Sequence, residues 1–122
     1  MNVLNFIAQT IFDKKGMNIL ALDVRNCPTM ADYVLIAEGS ADVHVKAIAR
    51  ALQDGLGEFG CSLDCCQGIQ EGDWVVLDAF WFVIHLFKPG FREKYDLESL
   101  WTKAEIVDLV IDVCPTISVG IK

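Results

Sequence analysis

Three small groups of residues have types and spacing that could do chemistry. Gly39-Ser40 precedes a run with helical periodicity, and such a pair at a helix start could hold a phosphate on the unpaired N–H groups there. Its surroundings lack the spacing of a P-loop or of Gly-x-Gly-x-x-Gly, so a turn with a cap is the better reading. Asp42 and His44 stand two apart, a separation at which side chains do not meet on a helix face. His85 alternates with Trp81, Val83 and Phe87 and so shares a strand face with them. A general base needs a partner that orients it, and no carboxylate can be placed beside His85, so a hydrogen-bonded histidine in a sheet is expected. There is no Gly-x-Ser-x-Gly and no His/carboxylate metal spacing. The expectation is a protein without catalytic residues or cofactor.

The cysteines are Cys27, Cys61, Cys65, Cys66 and Cys114. An odd number argues for free thiols. Cys61-x-x-x-Cys65-Cys66 has no CxxC and no second His/Cys cluster near it, which argues against zinc. The expected role is that of small buried hydrophobes.

Composition narrows the class. A chain of 122 residues suits one compact domain with a core that needs no metal or disulfide. It is 53% apolar, yet its longest unbroken apolar run is residues 79–84. A membrane span needs about twenty residues, so none is expected. The first residues show neither the basic nor the apolar region of a signal peptide, and a cytoplasmic protein is expected. Ten basic against seventeen acidic residues give a net charge of −7. That disfavours direct nucleic-acid binding, which rests on neutralising phosphates, and suits a basic protein partner.

The elements that must position these residues follow from periodicity. Leu4, Ile7, Ala8 and Ile11 make one apolar stripe, ended by Lys14-Lys15-Gly16. Residues 17–24 and 33–37 read as strands, both nearly continuous in apolar residues and so buried on both faces. Val45, Ile48, Ala49, Leu52 and Leu56 line a helix over residues 43–59 that Gly60 terminates. A short strand is expected within 61–66. Residues 74–101 hold eight of the twelve aromatic residues. Residues 74–87 are too long for one strand, so two are expected, with a turn near Asp78-Ala79-Phe80. Lys88-Pro89-Gly90 stops the second, and Asp96 could cap one helical turn. Ile106, Leu109, Val110 and Val113 show helical spacing before Pro115. The sum is a single layered α+β domain, with a mixed sheet of about five strands flanked by helices.

Six blocks in order and spacing carry a resemblance: Leu22-Asp23-Val24-Arg25, Ala31-Asp32-Tyr33-Val34-Leu35-Ile36-Ala37, His44-Val45-Lys46-Ala47-Ile48-Ala49, Asp73-Trp74-Val75-Val76-Leu77-Asp78, Val83-Ile84-His85-Leu86-Phe87 and Tyr95-Asp96-Leu97-Glu98-Ser99-Leu100-Trp101. Together they resemble the Iojap family, the bacterial and organellar ribosomal silencing factors. The resemblance implies an α+β domain over residues 1–101, of nucleotidyltransferase-like architecture by analogy, with 102–122 as a C-terminal extension. It implies no enzymatic activity. Such a domain binds ribosomal protein fourteen of the large subunit at the intersubunit face, blocks joining of the small subunit and often forms a homodimer. Where family blocks and interface-prone residue types coincide, the partner-binding residues are expected to be Trp74, Asp78, His85, Tyr95, Asp96, Leu97 and Trp101.

Three departures stand out. Val43 replaces an Arg common in members, Ala79-Phe80-Trp81 replaces a Tyr-Gly-Asp-like turn, and the tail is longer than the family core. Two aromatic rings in a turn call for a covering surface, so Phe80 and Trp81 are expected at a self-association contact. The rival is that the tail folds back over them. An alternative function is a nucleotide-using transferase with its phosphate at Gly39-Ser40. It would need converging carboxylates on a cation, and Asp32, Glu38 and Asp42 show no such pattern.

Overall fold

The computed structural model describes residues 3–27, 31–58, 60–61, 63, 65–79, 81–95, 104–107 and 109. Helix α1 (Val3–Asp13) buries Leu4, Ile7, Ala8 and Ile11, the stripe that its spacing predicts. It ends in a Schellman motif: Gly16 N–H donates to the Ile11 carbonyl at 2.8 Å and Lys15 N–H to that of Phe12 at 2.9 Å. The left-handed residue is Lys15 (φ 69°), not the glycine. Gly16 is needed for another reason, since a Cβ there would run into Ile11.

Helix α2 (Asp42–Glu58) buries Val45, Ile48, Ala49, Leu52 and Leu56. Gly60 (φ 90°) terminates it as expected, with Cys61 N–H on the Leu56 carbonyl at 2.8 Å. Gly55 lets the two helices close up, because a Cβ there would lie 2.8 Å from the Phe6 ring.

The strands are β1 (Met17–Asp23), β2 (Tyr33–Glu38), β3 (Cys65–Gln67), β4 (Trp74–Asp78), β5 (Phe82–Phe87) and β6 (Glu105–Ile106). They form one mixed sheet in the order β3-β4-β5-β2-β1-β6. Among the described strands only β2 and β5 run parallel, and α2 lies on the crossover between them. The main core lies under α1 and α2, where Leu35, Ala37, Val75, Leu77, Ile84 and Leu86 meet the helix stripes. A second cluster on the opposite face gathers Leu22, Val24, Cys27, Val34, Ile36 and Phe87.

The structure corrects several expectations. Strand β2 is buried on both faces, but β1 is exposed at Met17 and Asn18 and fully buried only at Ala21 and Leu22. It lies one strand from the sheet edge, and β6 covers only Leu22 and Asp23. Ile106 belongs to that sixth strand, not to a helix, and its side chain is 72% exposed. Strand β6 lies past residue 101, so the expected extension adds a strand to the sheet. A short helix α3 (Phe91–Tyr95), not expected from the sequence, follows the Lys88–Gly90 turn; the turn expected at Asp96 lies outside the described residues. Asp96, Leu97, Trp101, Phe80, Val110, Val113 and Cys114 lie outside the described residues. Cys27 is buried, but Cys65 and Cys66 are exposed because β3 is an edge strand. Among the described residues no helix is long and apolar enough to cross a membrane.

Candidate partner-binding face

Side chains of a strand alternate between faces, so the register sorts them. Asp78 faces Val83, Val76 faces His85 and Trp74 faces Phe87. Strand β3 adds Cys65 opposite Asp78 and Gln67 opposite Val76. These eight side chains therefore share the face turned away from α1 and α2. Trp74, Val76, Asp78, Val83 and His85 are half-buried, whereas Val75, Leu77, Ile84 and Leu86 between them are in the core. The β3-β4-β5 half of this face is thus partly open to a partner. The β2-β1 half is closed by the second cluster, against which Trp74, Phe91 and Ala104 pack.

Three rings organise the open half. Trp74 stacks on Phe87 with centroids 5.4 Å apart, and His85 lies nearly parallel to Phe87 at 6.3 Å. The Trp74 indole N–H donates to His85 Nδ1 at 3.1 Å. An acceptor at Nδ1 leaves the ring proton of a neutral histidine on Nε2. Burial draws the His85 pKa down to about 4, and the negative charge of Asp78 opposes this only in part. The hydrogen-bonded sheet histidine is as expected, but a carboxylate does act on it. Asp78 and His85 sit on neighbouring strands, and the pairing register could not be read from the sequence.

Helix α3 is tied to the sheet by charge. Arg92 Nη1 donates to Glu38 Oε2 at 3.0 Å and to the Asn18 carbonyl at 2.6 Å, while Asn18 Nδ2 donates to the same Glu38 oxygen at 3.2 Å. Both charged side chains are almost buried, at 12% and 11% exposure. Asn18 adopts φ 53° at an irregularity in the β1–β2 ladder, and Asn is among the few residues that tolerate that region. Sequence reasoning missed this triad, because its members are 20 and 54 residues apart. Tyr95 closes α3.

Trp81 is not on the His85 face. It precedes β5, packs edge-on against Phe82 (4.7 Å) and Tyr33 (6.2 Å), and remains 37% exposed. Its carbonyl accepts the Asp32 and Tyr33 N–H groups at 2.8 and 3.2 Å. Beside it the Arg25 guanidinium lies over the Tyr33 ring and pairs with Asp23 at 2.6 Å. Hydrogen bonds from Arg25 hold the Asp23 carboxyl below its usual range.

The Gly39-Ser40 turn is a cap. Ser40 N–H donates to His44 Nδ1 at 2.8 Å, the Ser40 hydroxyl lies 3.1 Å from the same nitrogen, and His44 Nε2–H reaches the Lys14 carbonyl at 2.6 Å. His44 thus joins the end of α1 to the start of α2 and occupies an N–H that a phosphate would need. Gly39 is there for packing, since a Cβ would come 2.9 Å from Val45 Cγ2. Among the described residues no three His, Cys, Asp or Glu are grouped to hold a metal ion.

Residues 1–117 match the family model described as "Ribosomal silencing factor during starvation". The chain belongs to the ribosomal silencing factor family. The Bacillus subtilis ribosomal silencing factor is 38% identical over 108 residues, 88% of this chain and 92% of its own. A crystal structure of a Bacillus halodurans protein superposes with a TM-score of 0.77 at 30% identity, covering 88% of this chain and 97% of that one. A more distant mouse relative, named mitochondrial assembly of ribosomal large subunit protein 1, is 26% identical over 90% of this chain and 50% of its own. The silencing-factor fold is a single α+β domain. Family membership places the chain with regulatory proteins of the ribosome.

Proposed function

We propose that this silencing factor binds the large ribosomal subunit at its intersubunit face, through ribosomal protein fourteen, and blocks joining of the small subunit in the cytoplasm. The observation that carries the reading is the convergence of Trp74, Asp78 and His85 on one half-open sheet face in a chain of this family. Blocking an interface needs a surface of fixed shape and no reacting group. Aromatic side chains that stack on one another offer a rigid apolar area, and Asp78 adds a charge for a basic partner. The net charge of −7 suits the same kind of partner. The name of the mouse relative, with its large ribosomal subunit, supports that choice of subunit. Tyr95, Asp96, Leu97 and Trp101 are partner-binding residues in this reading, on the strength of the family blocks that hold them. Trp81, at the end of the sheet where β5 begins, serves a homodimer contact together with Phe80.

The test is sedimentation of the protein with purified large subunits, with and without small subunits. The expected result is co-sedimentation with free large subunits and exclusion from assembled ribosomes. Equal binding to intact ribosomes, or none to large subunits, refutes the proposal.

A further inference from the structure

We propose that Cys65 and Cys66 are an oxidisable dithiol, a modification site that a hydroperoxide converts to a disulfide between neighbours, releasing β3 from the sheet. Both thiols are free and exposed, whereas Cys27 is buried and Cys61 half-buried, so among the described cysteines an oxidant in solution reaches these two most readily. They sit on the edge strand β3, which has three residues, all exposed, and pairs with β4 alone. A short edge strand held by three ladder pairs on one side has little to lose on leaving the sheet.

The reduced strand keeps the two sulfurs apart. Cys65 is opposite Asp78 and Cys66 opposite Leu77, so their side chains leave the sheet on opposite faces. Gln53 of α2 donates to Cys66 Sγ at 3.3 Å, which places that sulfur on the helix side. A disulfide requires its sulfurs at about 2.05 Å and Cα atoms usually 4.4 Å or more apart. Neighbouring Cα atoms are only about 3.8 Å apart. Because the sulfurs start on opposite faces, the bond forms only if the backbone at residues 65–66 leaves the extended conformation, and the short Cα–Cα separation strains it and makes it easily reduced. Oxidation and the β3–β4 ladder exclude each other, which makes the pair a reversible switch.

The chemistry balances with the hydroperoxide as sole oxidant. The Cys65 thiolate attacks the outer peroxide oxygen; the O–O bond breaks, an alcohol leaves with the proton, and Cys65 becomes a sulfenic acid. The Cys66 thiolate attacks that sulfur; the S–S bond forms, the S–O bond breaks, and hydroxide leaves as water. Two thiols are oxidised by two electrons while the peroxide is reduced to alcohol and water. Loss of β3 would make β4 the sheet edge, beside Asp78. The proposal does not depend on what that face binds.

The experiment treats the full chain and its Cys65→Ser and Cys66→Ser variants with tert-butyl hydroperoxide, followed by peptide mass mapping and amide exchange. The expected product is the 65–66 peptide lighter by two hydrogens and restored by dithiothreitol. Those amides of residues 65–67 that face β4 should then exchange roughly tenfold faster or more, with α2 unchanged. Neither variant should lose two hydrogens or gain exchange at β3. A bridge to Cys61 or Cys114, both sulfurs carried on to sulfinic acid without a disulfide, or a 65–66 disulfide with β3 amides still protected would each overturn the proposal.

Discussion

The Trp74 indole N–H meets His85 Nδ1 at 3.1 Å, diagonally across a ladder in which Trp74 faces Phe87 and Val76 faces His85. A second proton on His85 would have to enter at Nδ1, where the indole N–H already points. Burial favours the neutral ring more than the Asp78 charge favours the protonated one, and the pKa falls from 6.5 to about 4. The unfolded chain takes up that proton at higher pH than the native one. The stabilising contribution is therefore complete above pH 6.5 and is lost as pH falls through about 4, a loss on the order of 3 kcal/mol. Urea midpoints at pH 7.5 and 4.5 should separate more in the parent than in His85→Gln, whose amide can still accept from Trp74.

Arg92 and Glu38 form a nearly buried ion pair that also engages Asn18. Removing one member leaves an uncompensated charge in a nearly buried site. Arg92→Leu should lower the free energy of unfolding by about 3–5 kcal/mol. The double change Arg92→Met with Glu38→Gln should be milder than Arg92→Leu alone. Denaturant titration of the set checks this order.

Gly39→Ala places a Cβ 2.9 Å from Val45 Cγ2 and 3.0 Å from Val45 N. The backbone nitrogen cannot yield without breaking the first turn of α2, where Val45 N–H donates to the Ala41 carbonyl. A loss of about 1–3 kcal/mol is expected, read as a lower Tm. The parent protein should show no thermal shift with nucleotide and magnesium, because His44 holds the Ser40 N–H.

Asp78 ends β4 on the half-open face, between Cys65 and Val83. Asp78→Lys reverses the charge offered to a basic partner. Large-subunit binding should weaken about tenfold or more, a change of about 1.4 kcal/mol, while the circular dichroism spectrum and Tm stay nearly the same. Loss of fold in step with loss of binding would make Asp78 a structural residue instead.

Trp81 is over a third exposed at the end of the sheet where β5 begins. If this ring sits in a symmetric contact, sedimentation velocity across a concentration range should show a dimer. Trp81→Asp should convert it to monomer. A parent chain that stays monomeric at all concentrations would exclude the contact.

The sequence by itself determined what depends on neighbours within a turn or two of chain. The stripes of α1 and α2, the burial of β2, the Gly60 terminator and the break after Phe87 all rest on local periodicity or on one residue's backbone freedom. The family was legible too, because six ordered blocks are a pattern along the chain. Tertiary structure decided what depends on pairing across the chain. Trp74 and His85 could be named from sequence, but their bond depends on the β4–β5 register. The Arg92–Glu38–Asn18 triad needed the bulge in β1, the end of β2 and α3 to come together. Ile106 had helical spacing, yet two residues of ladder beside β1 made it a strand. Cys65 and Cys66 looked like core residues until the strand order put them on an edge. A ladder satisfies backbone groups through partners distant in sequence, and one residue of register moves every side chain to the other face.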